Sequence, residues 1–210
     1  MLNNNANTIN ANEINIAELI TSFNNAKEKL FIKLTGEDKY VDCPRKEIAN
    51  MVETVHIRLN QYVSIPVTNT IFNSFDIDVE NLFRIAEDNT RLNNRVNIQT
   101  LPGIMSALSG MEVEEDGCNA VVVTNENMRY GATALFYSGV LDGLYKVFNG
   151  DYYILPSSVH EVICVPATVN MKVKKLIDMV TEINSSVVDE DDKLTDSVYT
   201  YDGKRFYQVA

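Results

Sequence analysis

The sequence predicts an α+β fold, a largely antiparallel sheet with helices packed on one side and a β-hairpin at the C-terminus. Three observations predict it. From about 168 to 185, Val173, Leu176, Ile177, Val180 and Ile183 form one stripe at helical spacing. Ala120-Val121-Val122-Val123-Thr124 is short, β-branched and apolar on both faces, the composition of a central strand. Asp202-Gly203 separates Val198-Tyr199-Thr200-Tyr201 from Arg205-Phe206-Tyr207-Gln208-Val209, and such a dipeptide favours a hairpin because its turn needs positive φ. Helical and extended segments alternate without a regular βαβ pattern, and no internal repeat is visible.

Along the chain, residues 1–11 are dominated by asparagine and are expected to be disordered, leaving 12–210 as a single domain. Ile16, Leu19, Ile20, Phe23 and Leu30 predict an amphipathic helix over roughly 12–30, followed by a strand at Phe31–Thr35 that Gly36 ends. Cys43-Pro44-Arg45-Lys46-Glu47 has the form of a helix start, with Ile48, Met51, Val52 and Val55 as its apolar face. His56–Leu59 and Tyr62–Val67 read as extended. Asp78 is the expected N-cap of a helix carrying Val79, Leu82, Phe83 and Ala86. Residues 101–109 are a short helix candidate, and Met111 to Asn119 an acidic loop.

Residues 131–149 read as a helix with Leu135, Phe136, Val140, Leu144 and Phe148 inward. Gly139 and Gly143 weaken it by roughly 1 kcal/mol each relative to alanine, which predicts a break near 138. Tyr152–Leu155 and Val162–Val165 then form two strands flanking Pro156–Glu161.

Composition narrows the function classes. The 210 residues carry a formal net charge of −11, which disfavours nucleic acid and anionic membranes as direct partners. Lys172, Lys174 and Lys175 make the densest basic group and read as the solvated face of a helix. The odd, dispersed Cys43, Cys118 and Cys164 fit a reducing cytoplasm rather than a disulfide framework. No phosphate-binding loop, dinucleotide fingerprint, nucleophile elbow or paired CxxC is present, so no cofactor is expected.

His160-Glu161-Val162-Ile163-Cys164 begins like a zinc-protease HExxH, but the second ligand is cysteine and the residues favour a strand. Two ligands four apart share a metal only on a helix, so no metal site is predicted. The polar block Pro156-Ser157-Ser158-Val159-His160-Glu161 carries the catalytic candidates. His160 would serve as base, oriented by Glu161 or another carboxylate, with Ser157 or Ser158 as nucleophile or ligand donor. The alternative is a structural corner in which the serines bond turn backbone and His160 satisfies a neighbouring carbonyl. A second junction, Asn125, Asn127, Arg129, Tyr130 and Gly131, links strand to helix. Asn125, Tyr130 and Gly131 could hold an anion there or merely cap the helix. The acidic run Asp189–Asp192 reads as a solvated loop.

The strand ending in Thr124-Asn125, the helix start Gly131-Ala132 and the block Ile154-Leu155-Pro156-Ser157-Ser158-Val159-His160-Glu161 resemble an uncharacterised bacterial family catalogued as domain of unknown function 5688. Met179–Asn184, Tyr199-Thr200-Tyr201 and the helix from Glu80 to Thr90 also resemble it. The resemblance implies a bacterial or phage origin and no particular activity. The expectation is a non-enzymatic binding or regulatory protein whose acidic surface engages a protein partner, as a phage-encoded inhibitor would. The alternative is a hydrolase or transferase built on the Pro156–Glu161 block.

Overall fold

Continuous runs of β-branched and aromatic residues become the strands of two antiparallel sheets, and the helices fill the space around them. The computed structural model describes residues 15–101, 120–156, 158–168 and 172–209. The Asn-rich start, the acidic loop from Met111, Ser157 and all but the first residue of the 101–109 candidate lie outside these.

Two short helices, α1 (Ile16–Thr21) and α2 (Phe23–Ala26), and a 3-10 turn at Lys27–Lys29 precede β1 (Leu30–Gly36). The single helix expected over this stretch is broken at Ser22, whose backbone is extended (φ −136°). Then come β2 (Arg45–Ile48), β3 (Met51–Arg58) and β4 (Ser64–Pro66). Helices α3 (Asn69–Ser74) and α4 (Val79–Asn93) close this half, α4 capped as expected by Asp78, which accepts from Asn81 N at 2.8 Å.

The helix expected after Pro44 is instead the β2–β3 hairpin. Ile48, Met51, Val52 and Val55 satisfy helical spacing, but eight residues of β3 are needed between two neighbours. β3 pairs with β1 on one side and with β2 and β4 on the other. Bilateral pairing decides what a short apolar run cannot.

The second half holds β5 (Val96–Thr100), β6 (Val121–Asn125), a 3-10 helix at Gly131–Phe136, α5 (Val140–Phe148), β7 (Tyr152–Leu155), β8 (Val162–Pro166), α6 (Val173–Ser186), β9 (Tyr199–Tyr201) and β10 (Phe206–Gln208). Its strands lie in the order β10-β9-β7-β8-β6-β5. The expected break in the 131–149 segment is real, with Gly139 at φ 83°. The C-terminal hairpin turns over Asp202–Arg205, with Gly203 at φ 81° and the Asp202 carboxylate accepting from Lys204 N and Arg205 N.

Side-chain alternation gives the larger sheet two apolar faces, so helices cover both. On one face Tyr152, Ile154, Val162 and Cys164 pack with Ala132, Leu135, Leu144 and Phe148; on the other Leu155 and Val165 pack with Leu176 and Val180 of α6. The smaller sheet buries Ile32, Val55 and Ile57 under Leu82, Phe83 and Ala86 of α4. Leu34 and Met51 cross from this sheet into the larger core and join the two halves. β1 is an edge strand, and hydroxyls seal it: Ile32 N donates to Thr90 Oγ1 (2.8 Å) and Leu34 N to Thr133 Oγ1 (3.2 Å).

Glu53 lies on β3 between Met51 and Val55, at the seam of the two cores, and is only 4% exposed. Its cross-strand partner Lys46 stands 3.7 Å away but is closer to Glu87, at 3.1 Å. Burial pushes the Glu53 carboxyl up to about 7, against the pull of Lys46. A carboxyl raised in the folded state contributes full stability below its unfolded value of 4.5 and loses it as pH climbs through 7. Stability should therefore fall by on the order of 3 kcal/mol between pH 5 and 8 from this group. Glu53→Gln should flatten that fall and be the more stable protein at pH 8, read by denaturant titration at both pH values. A wild-type midpoint that stays level would overturn the assignment.

Candidate functional site

β6 ends in Thr124-Asn125, and the Asn125 amide closes the turn that follows. Its oxygen accepts from Asn127 N (3.1 Å) and Arg129 N (3.3 Å), and its nitrogen donates to Arg129 O (2.9 Å). Met128 and Tyr130 take positive φ, 51° and 53°. The chain then passes so close to the Pro156–Glu161 block that a Cβ on Gly131 would lie 2.5 Å from His160 O and 2.2 Å from Thr124 Oγ1. Thr124 Oγ1 donates to His160 O at 2.8 Å, and Ala132 N donates to Val159 O at 3.2 Å. The two polar junctions that stand 30 residues apart in the chain form one interlocked joint.

His160 is the bolt of that joint. Its Nδ1 accepts from Tyr130 N at 3.1 Å, which places the neutral ring's proton on Nε2, 3.2 Å from Asp192 Oδ2. The ring stacks on Tyr130 with centroids 5.6 Å apart. Ser158 is 5% exposed, and its Oγ accepts from His160 N at 2.9 Å, a turn-closing bond. Both imidazole nitrogens thus face partners other than a serine hydroxyl. Glu161 is half-buried and makes no hydrogen bond or ion pair among the described residues. The acidic run is not wholly solvated, since Asp192 turns inward to His160. Cys164, the other end of the HExxH-like run, lies on strand β8 and is fully buried, and desolvation drives its thiol far up.

Beside Tyr130 opens a cleft of about 600 Å³, walled by the start of β1, the β3–β4 turn, the end of α4 and the Asn127–Tyr130 turn. Among the described residues three cations line it, Lys29, Arg58 and Arg129, against one carboxylate, Glu28. The concentration is notable in a chain of net charge −11.

Each guanidinium is held by an aromatic ring. Arg58 Cζ lies 4.8 Å from the Phe31 centroid, and Arg129 Cζ lies 5.5 Å from Tyr62 and 5.4 Å from Tyr130. Arg129 Nη2 donates to Tyr62 O at 3.1 Å, while its Nε is buried with no partner among the described residues. Partial burial lowers Arg58 from the ordinary guanidinium value. Lys33, beneath the cleft floor, sets its ammonium 4.4 Å from the Tyr130 ring.

Amides also line it, beside Leu30, Leu59, Val63 and Ser64. The Asn94 amide oxygen accepts either from Asn127 Nδ2 (2.6 Å) or, with the amide turned over, from Arg58 Nη2 (3.2 Å), one bond excluding the other. Asn89 uses its nitrogen on Lys27 O and Leu30 O, leaving its oxygen unpartnered among the described residues.

Of the residues singled out in the sequence, Asn127, Arg129 and Tyr130 line this cleft, while Asn125 and Gly131 shape the turn that presents it, and Ser158 and His160 brace it from behind. Arg58, Tyr62 and Lys29 were missed because nothing near them in sequence marks them. Asn89 and Asn93, four apart at the end of α4, are the one local signal that could have been noticed.

A family model described as a family of unknown function, DUF5688, matches residues 2–203. No curated protein and no solved structure matches the chain.

Since the atoms nearest a Gly131 Cβ include backbone of two segments, Gly131→Ala should destabilise the protein by about 3 kcal/mol or more. Denaturant unfolding checks this, and a loss under 1 kcal/mol would mean that the joint is looser than described.

Proposed function

The chain belongs to the DUF5688 family, and on that footing we propose that it is a non-enzymatic binding protein whose ligand seat is the cleft beside Tyr130. The observation that carries this is that, among the described residues, Lys29, Arg58 and Arg129 gather there against Glu28, with Arg129 Nε buried and unpartnered. Partly desolvated guanidinium groups bind anions more strongly than exposed ones, because the competing water has already been removed. The ligand is a small anion, and the protein acts in a cytoplasm, the compartment that fits the free, buried Cys43 and Cys164.

The hydrolase or transferase alternative draws little support from the geometry. General-base activation needs an imidazole nitrogen beside the nucleophile, whereas His160 engages Tyr130 N and Asp192.

A second reading keeps the acidic surface as a contact for a protein partner. The exposed run Asp189–Asp191 beside the net charge of −11 favours it. It predicts a complex that salt dissolves.

The direct test is thermal unfolding against a panel of small phosphates and carboxylates. At least one should raise the midpoint of the wild type, and Arg58→Gln/Arg129→Gln should abolish the rise. No response to any anion would overturn the binding seat. In parallel, a serine-directed fluorophosphonate probe should leave the wild type unlabelled; labelling that His160→Ala abolishes would restore the enzyme reading.

A further inference from the structure

The cleft combines three recognition chemistries that a simple anion would not use together. This inference rests on the binding role proposed above and names the ligand class. Guanidinium and ammonium groups account for a phosphate or a carboxylate equally well. The aromatic faces and the free amide groups do not follow from an anion alone.

Tyr62 stands on the β3–β4 turn at the mouth of the cleft, 66% exposed. Arg129 lies near one side of it, and no other ring contacts it among the described residues. The turn is rigid at this point because the Asn60 side-chain oxygen accepts from both Tyr62 N (2.8 Å) and Val63 N (2.9 Å). An exposed tyrosine on a braced turn, with a guanidinium beside it, is a platform for a flat heteroaromatic ring.

The amides around it are only half used. Asn60 spends its oxygen on the turn, and its Nδ2 has no partner among the described residues. Asn93 donates Nδ2 to Asn89 O at 2.8 Å, and its Oδ1, like that of Asn89, has no partner among the described residues. Donors and acceptors fixed beside an aromatic platform are what reading the edge of a nucleobase requires.

We propose that the cleft binds a mononucleotide, its base stacked on Tyr62 and its phosphate held by Arg58 and Arg129. A single nucleotide fits better than a polynucleotide on two grounds. The cleft volume of about 600 Å³ is in the range of small-molecule pockets. The chain's net charge of −11 repels a long polyanion, while one phosphate feels chiefly the local cations.

The test is isothermal titration of the full chain with AMP and GMP, beside adenosine, inorganic phosphate and a short single-stranded oligonucleotide. At least one mononucleotide should bind, with adenosine and phosphate each tenfold or more weaker. Tyr62→Ala, at an exposed position, should weaken the mononucleotide at least fivefold and phosphate by a smaller factor, because Tyr130 still flanks Arg129; Arg129→Gln should weaken both.

Equal affinity for phosphate and mononucleotide, or indifference of the mononucleotide to Tyr62→Ala, overturns the nucleotide assignment and leaves the anion seat standing. Tighter binding of the oligonucleotide than of either mononucleotide also overturns it. Silence of all these probes, together with silence of the anion panel, removes both.

Discussion

The close passage of Gly131 over the carbonyl of His160 is the contact on which the arrangement of this protein depends. There is no room at Gly131 for a side chain, because Thr124 Oγ1, His160 O and Asn125 N all lie where a Cβ would stand. That approach lets Thr124 donate to His160 O and Ala132 donate to Val159 O, locking the end of β6 to the turn before β8. It also brings the Tyr130 amide onto His160 Nδ1, which sets the tautomer and turns Nε2 to Asp192. Thr124, Tyr130 and His160 are thus engaged with one another, and neither imidazole nitrogen of His160 faces the Ser158 hydroxyl.

The joint carries its effect to the smaller sheet through the 3-10 helix that follows it. Thr133 on that helix accepts from Leu34 N, and Thr90 on α4 accepts from Ile32 N, so two hydroxyls replace the strand that β1 lacks on its outer edge. Leu34 and Met51 then complete the core of the larger sheet. The seam has a cost, since it leaves Glu53 only 4% exposed and Lys46 is shared with Glu87. Asn50, at the β2–β3 turn, bonds Thr195 and Ser197 as well as the Tyr199 hydroxyl and fastens the far end of the same seam.

The cleft lies where the start of β1, the β3–β4 turn, the end of α4 and the Asn127–Tyr130 turn converge. Tyr130 is its pivot, touched by Lys33, Arg129, Phe31 and His160 together. Cations gather on this ring because its faces stabilise them where water is partly excluded. In an acidic chain such a cluster stands out as a local reversal of field, and the long-range repulsion of the remaining carboxylates does not cancel it at contact distance.

The elements whose signals are local were legible in the sequence. The Val-rich strand β6, the stripe of α6, the Asp78 cap, the glycine break at Gly139 and the turn at Gly203 each follow from a propensity or periodicity that tertiary context did not oppose. So was the importance of Thr124-Asn125, Gly131 and His160 as residues, although not their mutual contact. Only the tertiary structure decided that Arg45–Val55 pairs as strands, because its spacing suits a helix as well and it is the pairing of β3 with β1, β2 and β4 that selects the extended form. Only it could bury Glu53, whose neighbours in sequence do not differ from those of an exposed glutamate. And only it could assemble Lys29, Arg58, Tyr62, Asn93 and Arg129 into one cleft. Their convergence is set by strand pairing and by the Gly131 joint, long-range constraints that no local window of residues contains.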